Sequence, residues 1–87
     1  MGREEIGKVF NYYSKAGVAA IQIASGEVHI GDTIQIEGGS SSITMEIESM
    51  QIEHQQVTAA AAGQSVGIKV PERVHPGDRV YKIEPSP

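Results

Sequence analysis

The sequence holds no cysteine, no tryptophan and no leucine. Lacking cysteine, it can build no disulfide framework, no iron–sulfur cluster and no thiol nucleophile. Such a chain suits a reducing compartment, and the cytoplasm is the expected location. Lacking leucine, it is short of the residue on which most helix cores are built. Isoleucine occurs eleven times and valine eight, and β-branched side chains suit a pleated surface better than a helix. No run approaches the ~20 apolar residues of a membrane span, so no membrane partner is expected. The opening Met1-Gly2-Arg3-Glu4-Glu5 leads into no apolar signal core. Ile6 stands where a myristoylation signal prefers Ser or Thr.

Positive charge is missing from the middle of the chain. Residues 16–68 contain six acidic residues and no lysine or arginine, a net of −6, while each flank has a net of +1. A general nucleic-acid binder would be basic. Here a phosphate backbone could be met only through a local patch from the two ends. At 87 residues the chain allows one domain, with a core over about 5–84 and a frayed tail over 85–87.

What is present reads as an all-β fold. Residues 6–13 and 18–24 are two strands joined by a turn over 14–17, with Ala19, Ile21 and Ile23 on one face and Gln22 opposite. Thr33 to Glu37 alternates cleanly, and residues 38–42 form a polar connection. Ile43, Met45 and Ile47 share a face. The next apolar pair, Met50 and Ile52, has the opposite parity, which calls for a bulge or sharp bend near Ser49. Residues 59–62, four alanines, predict one helical turn ended by Gly63. Residues 65–70 and 79–83 are the last strands.

A weak repeat links Val28-His29-Ile30-Gly31-Asp32 to Val74-His75-Pro76-Gly77-Asp78, each followed by a strand. Gly supplies positive φ, and Asp accepts backbone N–H groups. Both aspartates are therefore expected to be structural.

Several chemistries lack their residues. There is no phosphate-binding loop, and Gly63-Gln64-Ser65-Val66-Gly67 has no lysine in place and precedes a strand. No nucleotide and no cofactor are expected. His29, His54 and His75 lie too far apart for a zinc spacing, so no metal is expected. No nucleophile elbow occurs, and Glu46 and Glu48 share a strand face, as solvated carboxylates do. No enzymatic site is expected. The aromatic residues are Phe10, Tyr12, Tyr13 and Tyr81. Tyr12 and Tyr13 are neighbours on a strand, so one of them faces out and could stack on a base. A basic patch of Lys8, Lys15, Lys69, Arg79 and Lys82 beside that tyrosine is the expected place for RNA.

The order of features resembles a known scaffold. Its marks are Gly7-Lys8-Val9, then Val28-His29-Ile30-Gly31-Asp32, then Glu48-Ser49-Met50-Gln51-Ile52-Glu53-His54. Ala62-Gly63-Gln64-Ser65-Val66-Gly67 and Gly77-Asp78-Arg79-Val80 follow. Over residues 5–84 this is similar to the second domain of the translational GTPases, such as elongation factor Tu. It resembles more closely the stand-alone translation elongation factor-like proteins and the terminal barrel of some collagenase-like peptidases. The resemblance implies a closed six-stranded antiparallel β-barrel. In the GTPases that barrel helps hold the aminoacylated 3′ end of tRNA. The positions that meet this end fall at Gln51, His54 and Ser65, and a Gly-Arg pair of the second strand falls at Ile21-Gln22. The implied function is a non-catalytic module that associates with tRNA or ribosomal RNA. The alternative is a protein-docking barrel for a separate GTPase- or peptidase-like partner.

Overall fold

The computed structural model describes residues 2–39 and 42–83. The expected frayed tail over 85–87 lies outside the described residues, as does part of the polar connection over 38–42. Ten strands follow one another: β1 (Arg3–Tyr13), β2 (Val18–Ile23), β3 (Glu27–His29), β4 (Thr33–Glu37) and β5 (Ser42–Glu46), then β6 (Met50–Ile52), β7 (Gln55–Val57), β8 (Ala59–Ala61), β9 (Ser65–Lys69) and β10 (Arg79–Ile83). Eight form one antiparallel sheet in the order β5-β4-β10-β1-β2-β9-β6-β7, and β3 pairs with β8 in a separate ribbon. Among the described residues no helix is long and apolar enough to cross a membrane.

The fold is all-β, but it is not the closed six-stranded barrel that the resemblance implies. The large sheet has two ends: β5 is paired with β4 alone and β7 with β6 alone. Closure fails at a definable place. Residues 47–49 leave strand geometry, and Ile47 donates its N–H to the Asp32 carbonyl at 2.8 Å while its own carbonyl accepts from Gly31 at 2.9 Å. The backbone groups that would carry β5 across are thus used by a turn. On the other side, β6 meets β9 at only two register positions, Met50↔Ile68 and Gln51↔Gly67.

Burial follows the alternation of the sequence. Ile43 and Ile47 point inward with Met45 half-buried, and Thr44, Glu46 and Glu48 are exposed. After the break at 47–49, Met50 is fully buried and Gln51 exposed. The core is aliphatic, with Ile6, Ile21, Ile34, Ile36, Ile68 and Val80 sealed from solvent. Each such side chain contributes roughly 1.5–3 kcal/mol through its removal from water.

The four alanines do not form the expected helical turn. Ala59 to Ala61 pair with β3 in the register His29↔Ala59, Val28↔Ala60, Glu27↔Ala61. A high helix propensity cannot nucleate in so short a run, and as a strand Ala60 is buried against the core beside Val28.

The repeated Gly-Asp turns are built alike. Asp32 Oδ2 accepts the His29 N–H at 2.8 Å, and Asp78 Oδ2 accepts the His75 N–H at 3.0 Å. Each turn then clasps one buried residue through two backbone bonds. Gly31 and Asp32 hold Ile47, while Gly77 donates to the Val9 carbonyl at 2.7 Å and Val9 donates to Asp78 at 2.9 Å. The strands that follow, β4 and β10, pair antiparallel with Gln35 opposite Tyr81. The two copies are thereby related by a local two-fold.

Candidate functional site

β1 runs through the centre of the sheet and carries two register shifts, at Glu5/Gly7 against β10 and at Val9/Asn11 against β2. The second one re-aims the aromatic side chains. Strict alternation from the buried Val9 would put Phe10 and Tyr12 outside and Tyr13 inside. The extra residue at the bulge places Phe10 and Tyr13 on the outer face, at 49% and 52% exposure, and turns Tyr12 against the core. The tyrosine expected to face out is therefore Tyr13.

Phe10 and Tyr13 form one wall of a groove of about 440 Å³ on the outer face. Its floor is Val18, Ala20 and Gly67. The strand register puts Ala20 beside Gly67, and Gly67 beside Gln51. A Cβ at Gly67 would meet Val18 Cγ1 at 3.1 Å and crowd it. The opposite wall is Gln51, Glu53 and His54, with Ser65 at one end. Glu53 and His54 are the two-residue loop of the β6–β7 hairpin and take φ of 51° and 65°. Such a loop needs positive φ at both positions and normally recruits Asn or Gly. Ser65 donates its hydroxyl to Gln22 Oε1 at 2.8 Å.

The structure thus brings Gln51, His54 and Ser65 together with Tyr13 in one groove. Phe10 joins them, a residue that sequence reasoning left out. Its outward parity relative to Val9 was the available signal.

The five basic positions are distributed otherwise. Lys8 and Arg79 face each other across β1 and β10. The pKa of Arg79 is raised, first by a side-chain hydrogen bond with Tyr81 and then by attraction to Glu5, so it is a permanent cation. Lys69 lies opposite Val18 at the Tyr13 end of the sheet, and Lys15 is exposed in the turn after β1. Lys82, three residues from Arg79 on the same strand, leaves on the other face. It donates to the Glu27 carbonyl at 3.2 Å and lies 3.5 Å from Asp32. Among the described residues, no cluster of three His, Cys, Asp or Glu could hold a metal.

No family model matches the chain. It is 40% identical over 80 residues to a collagenase of Porphyromonas gingivalis, a match that covers 91% of this chain and 22% of that protein. It is 43% identical over 81 residues to an uncharacterised protease of Methanocaldococcus jannaschii, covering 92% and 20%. The chain therefore spans about a fifth of the length of these curated relatives. Among solved structures, the C-terminal domain of a candidate U32 peptidase from Geobacillus thermoleovorans matches with a TM-score of 0.84 at 26% identity, covering 93% of each chain. Its selenomethionine variant matches with a TM-score of 0.82. These findings support the resemblance to the terminal domain of collagenase-like peptidases and lend none to the translation-factor resemblance. The homologues of this chain are thus a collagenase and an uncharacterised protease, and the solved structures that it matches are of the C-terminal domain of one candidate U32 peptidase.

Proposed function

We propose that this domain is a non-catalytic docking module that serves a peptidase-like catalytic unit. The observation that carries this reading is the 40% identity to about a fifth of a collagenase, joined to a solved C-terminal domain of matching fold. A domain found attached to a catalytic unit serves it by contact, whether it holds the unit itself or the polypeptide that the unit handles. The name collagenase points to a glycine- and proline-rich chain, and we carry that substrate class to the unit this domain serves. The RNA reading draws no support from the comparisons. Of its five basic positions, Lys8 and Arg79 are brought side by side, while Lys82 is turned to Asp32.

The test is gel filtration of the domain with a collagenase-like catalytic unit that lacks its own C-terminal domain. The expected outcome is a one-to-one complex unaffected by nuclease. Separate elution of the two proteins, with the domain instead carried by tRNA, overturns the reading.

A further inference from the structure

The groove walled by Phe10 and Tyr13 has a chemistry that docking alone does not require. We propose that it binds an extended, proline-rich segment of a polypeptide substrate in polyproline II conformation, with a lysine or arginine of that segment set against Glu53.

Shape comes first. Two half-exposed aromatic rings stand three residues apart on one strand, brought to one side by the bulge at Val9/Asn11. Between them and the far wall the lining is small or aliphatic: Ala16, Val18, Ala20, Val66 and Gly67. Grooves lined by aromatics accept proline rings, because the polyproline II helix is already extended and loses little entropy on binding. That helix has no internal hydrogen bonds, so its carbonyls need donors. The Gln51 amide and the Tyr13 hydroxyl, both lining the groove, supply them.

Charge selects within that class. Glu53 is the only residue with a full charge among those lining the groove, and the strands of its floor and far wall add no acidic residue, while Lys69 at the end of β9 stands opposite Val18 at the Tyr13 end. A cationic side chain of the occupant is attracted to that carboxylate at the hairpin end of the groove. The tight two-residue turn sets Glu53 and His54 at the rim of the groove.

The proposal rests on the docking reading only for the source of the peptide. The probe is a synthetic decapeptide of proline and alanine with one central arginine, titrated into the isotopically labelled domain and followed by amide chemical shifts. Shifts are expected at residues 10–20, 51–54 and 65–67, with a Kd below about 1 mM. Phe10→Ser and Tyr13→Ser should each weaken binding at least tenfold, while Tyr13→Phe, which keeps the ring and loses the hydroxyl donor, should weaken it only severalfold. Both side chains are half-exposed, so the variants should fold, and their spectra report it. A central glutamate in the peptide should weaken binding severalfold, and Glu53→Gln should erase that difference. Gelatin should compete with the decapeptide.

Shifts confined to other strands, unchanged affinity in both serine variants, or tighter binding of a single-stranded RNA decamer at the same residues would each overturn the proposal. Competition by the catalytic unit but not by gelatin would overturn the assignment to substrate. A complex with the catalytic unit in the absence of peptide binding removes this proposal and leaves docking intact. Peptide binding without a complex does the reverse.

Discussion

Two tyrosines on the outer face of the sheet meet opposite fates. Tyr81 on β10 is covered: the Arg3 guanidinium lies 4.0 Å from its ring centroid and Arg79 is beside it, leaving the residue 9% exposed. Tyr13 on β1 stands 52% exposed over the floor of Ala20 and Gly67. Around Tyr81 the charges are satisfied within the domain. Arg3 also bonds Gln35 at 2.8 Å and pairs with Glu37 at 3.3 Å. Around Tyr13 and Phe10 aromatic surface is left open. Open aromatic surface is where binding energy concentrates, so the same residue type is structural on one side of β1 and available for binding on the other.

The largest expected effect comes from the core. Ile21 is fully buried on β2, opposite Val9 of β1, and Ile21→Ala should cost about 2–5 kcal/mol through lost burial and a cavity. Urea unfolding should show a midpoint lowered accordingly. Gly7→Ala comes next. A Cβ there would strike the Gln22 carbonyl oxygen, backbone that cannot swing aside, at the bulge between the two regions. A loss of roughly 1–3 kcal/mol is expected, and an unchanged midpoint would contradict the tight approach of β1 and β2.

Arg3→Ala should bare Tyr81 and make the two sides alike. The cation–π contact and the exposed pair with Glu37 together contribute about 1 kcal/mol. Quenching of tyrosine fluorescence by iodide should rise as the ring is uncovered. His54→Gly acts on the open side. Relief of a non-glycine residue at positive φ should stabilise the hairpin by roughly 0.5–1 kcal/mol, or a Tm gain of a few degrees for a domain of this size. The same change removes part of one wall of the groove, so stability and peptide affinity should move in opposite directions. Phe10→Ser should leave stability within about 0.5 kcal/mol. A larger loss would mean that the open side is packing after all.

Much of this architecture can be read in the chain. The parity change between Ile47 and Met50 marks the break at 47–49, because a period of two cannot carry both sets on one face. The Gly-Asp turns are visible as a repeated pattern with a known backbone role. Other features rest on tertiary facts that residue types do not carry. Four alanines favour a helix locally, and only the partner β3 makes them a strand. Closure of the sheet depends on whether its end strands meet, and Ile47 is drawn instead to the Gly31–Asp32 turn. The bulge at Val9/Asn11 leaves no mark on the sequence, so the outward tyrosine could not be chosen, whereas the outward position of Phe10 is legible from its parity with Val9. Gln51, His54 and Ser65 were reached through resemblance, and the groove shows what they share: one wall and one end of a single cleft.

The central claim is that this domain docks on protein and not on RNA. Calorimetric titration of the domain with a collagenase-like catalytic unit, and separately with tRNA, over one salt series tests it most directly. The account predicts saturable binding to the catalytic unit whose affinity changes little with salt, and no comparable binding of tRNA. Binding of tRNA with a logarithmic salt slope of several units, at about 0.7–0.9 per phosphate contact, and no heat from the catalytic unit would contradict it.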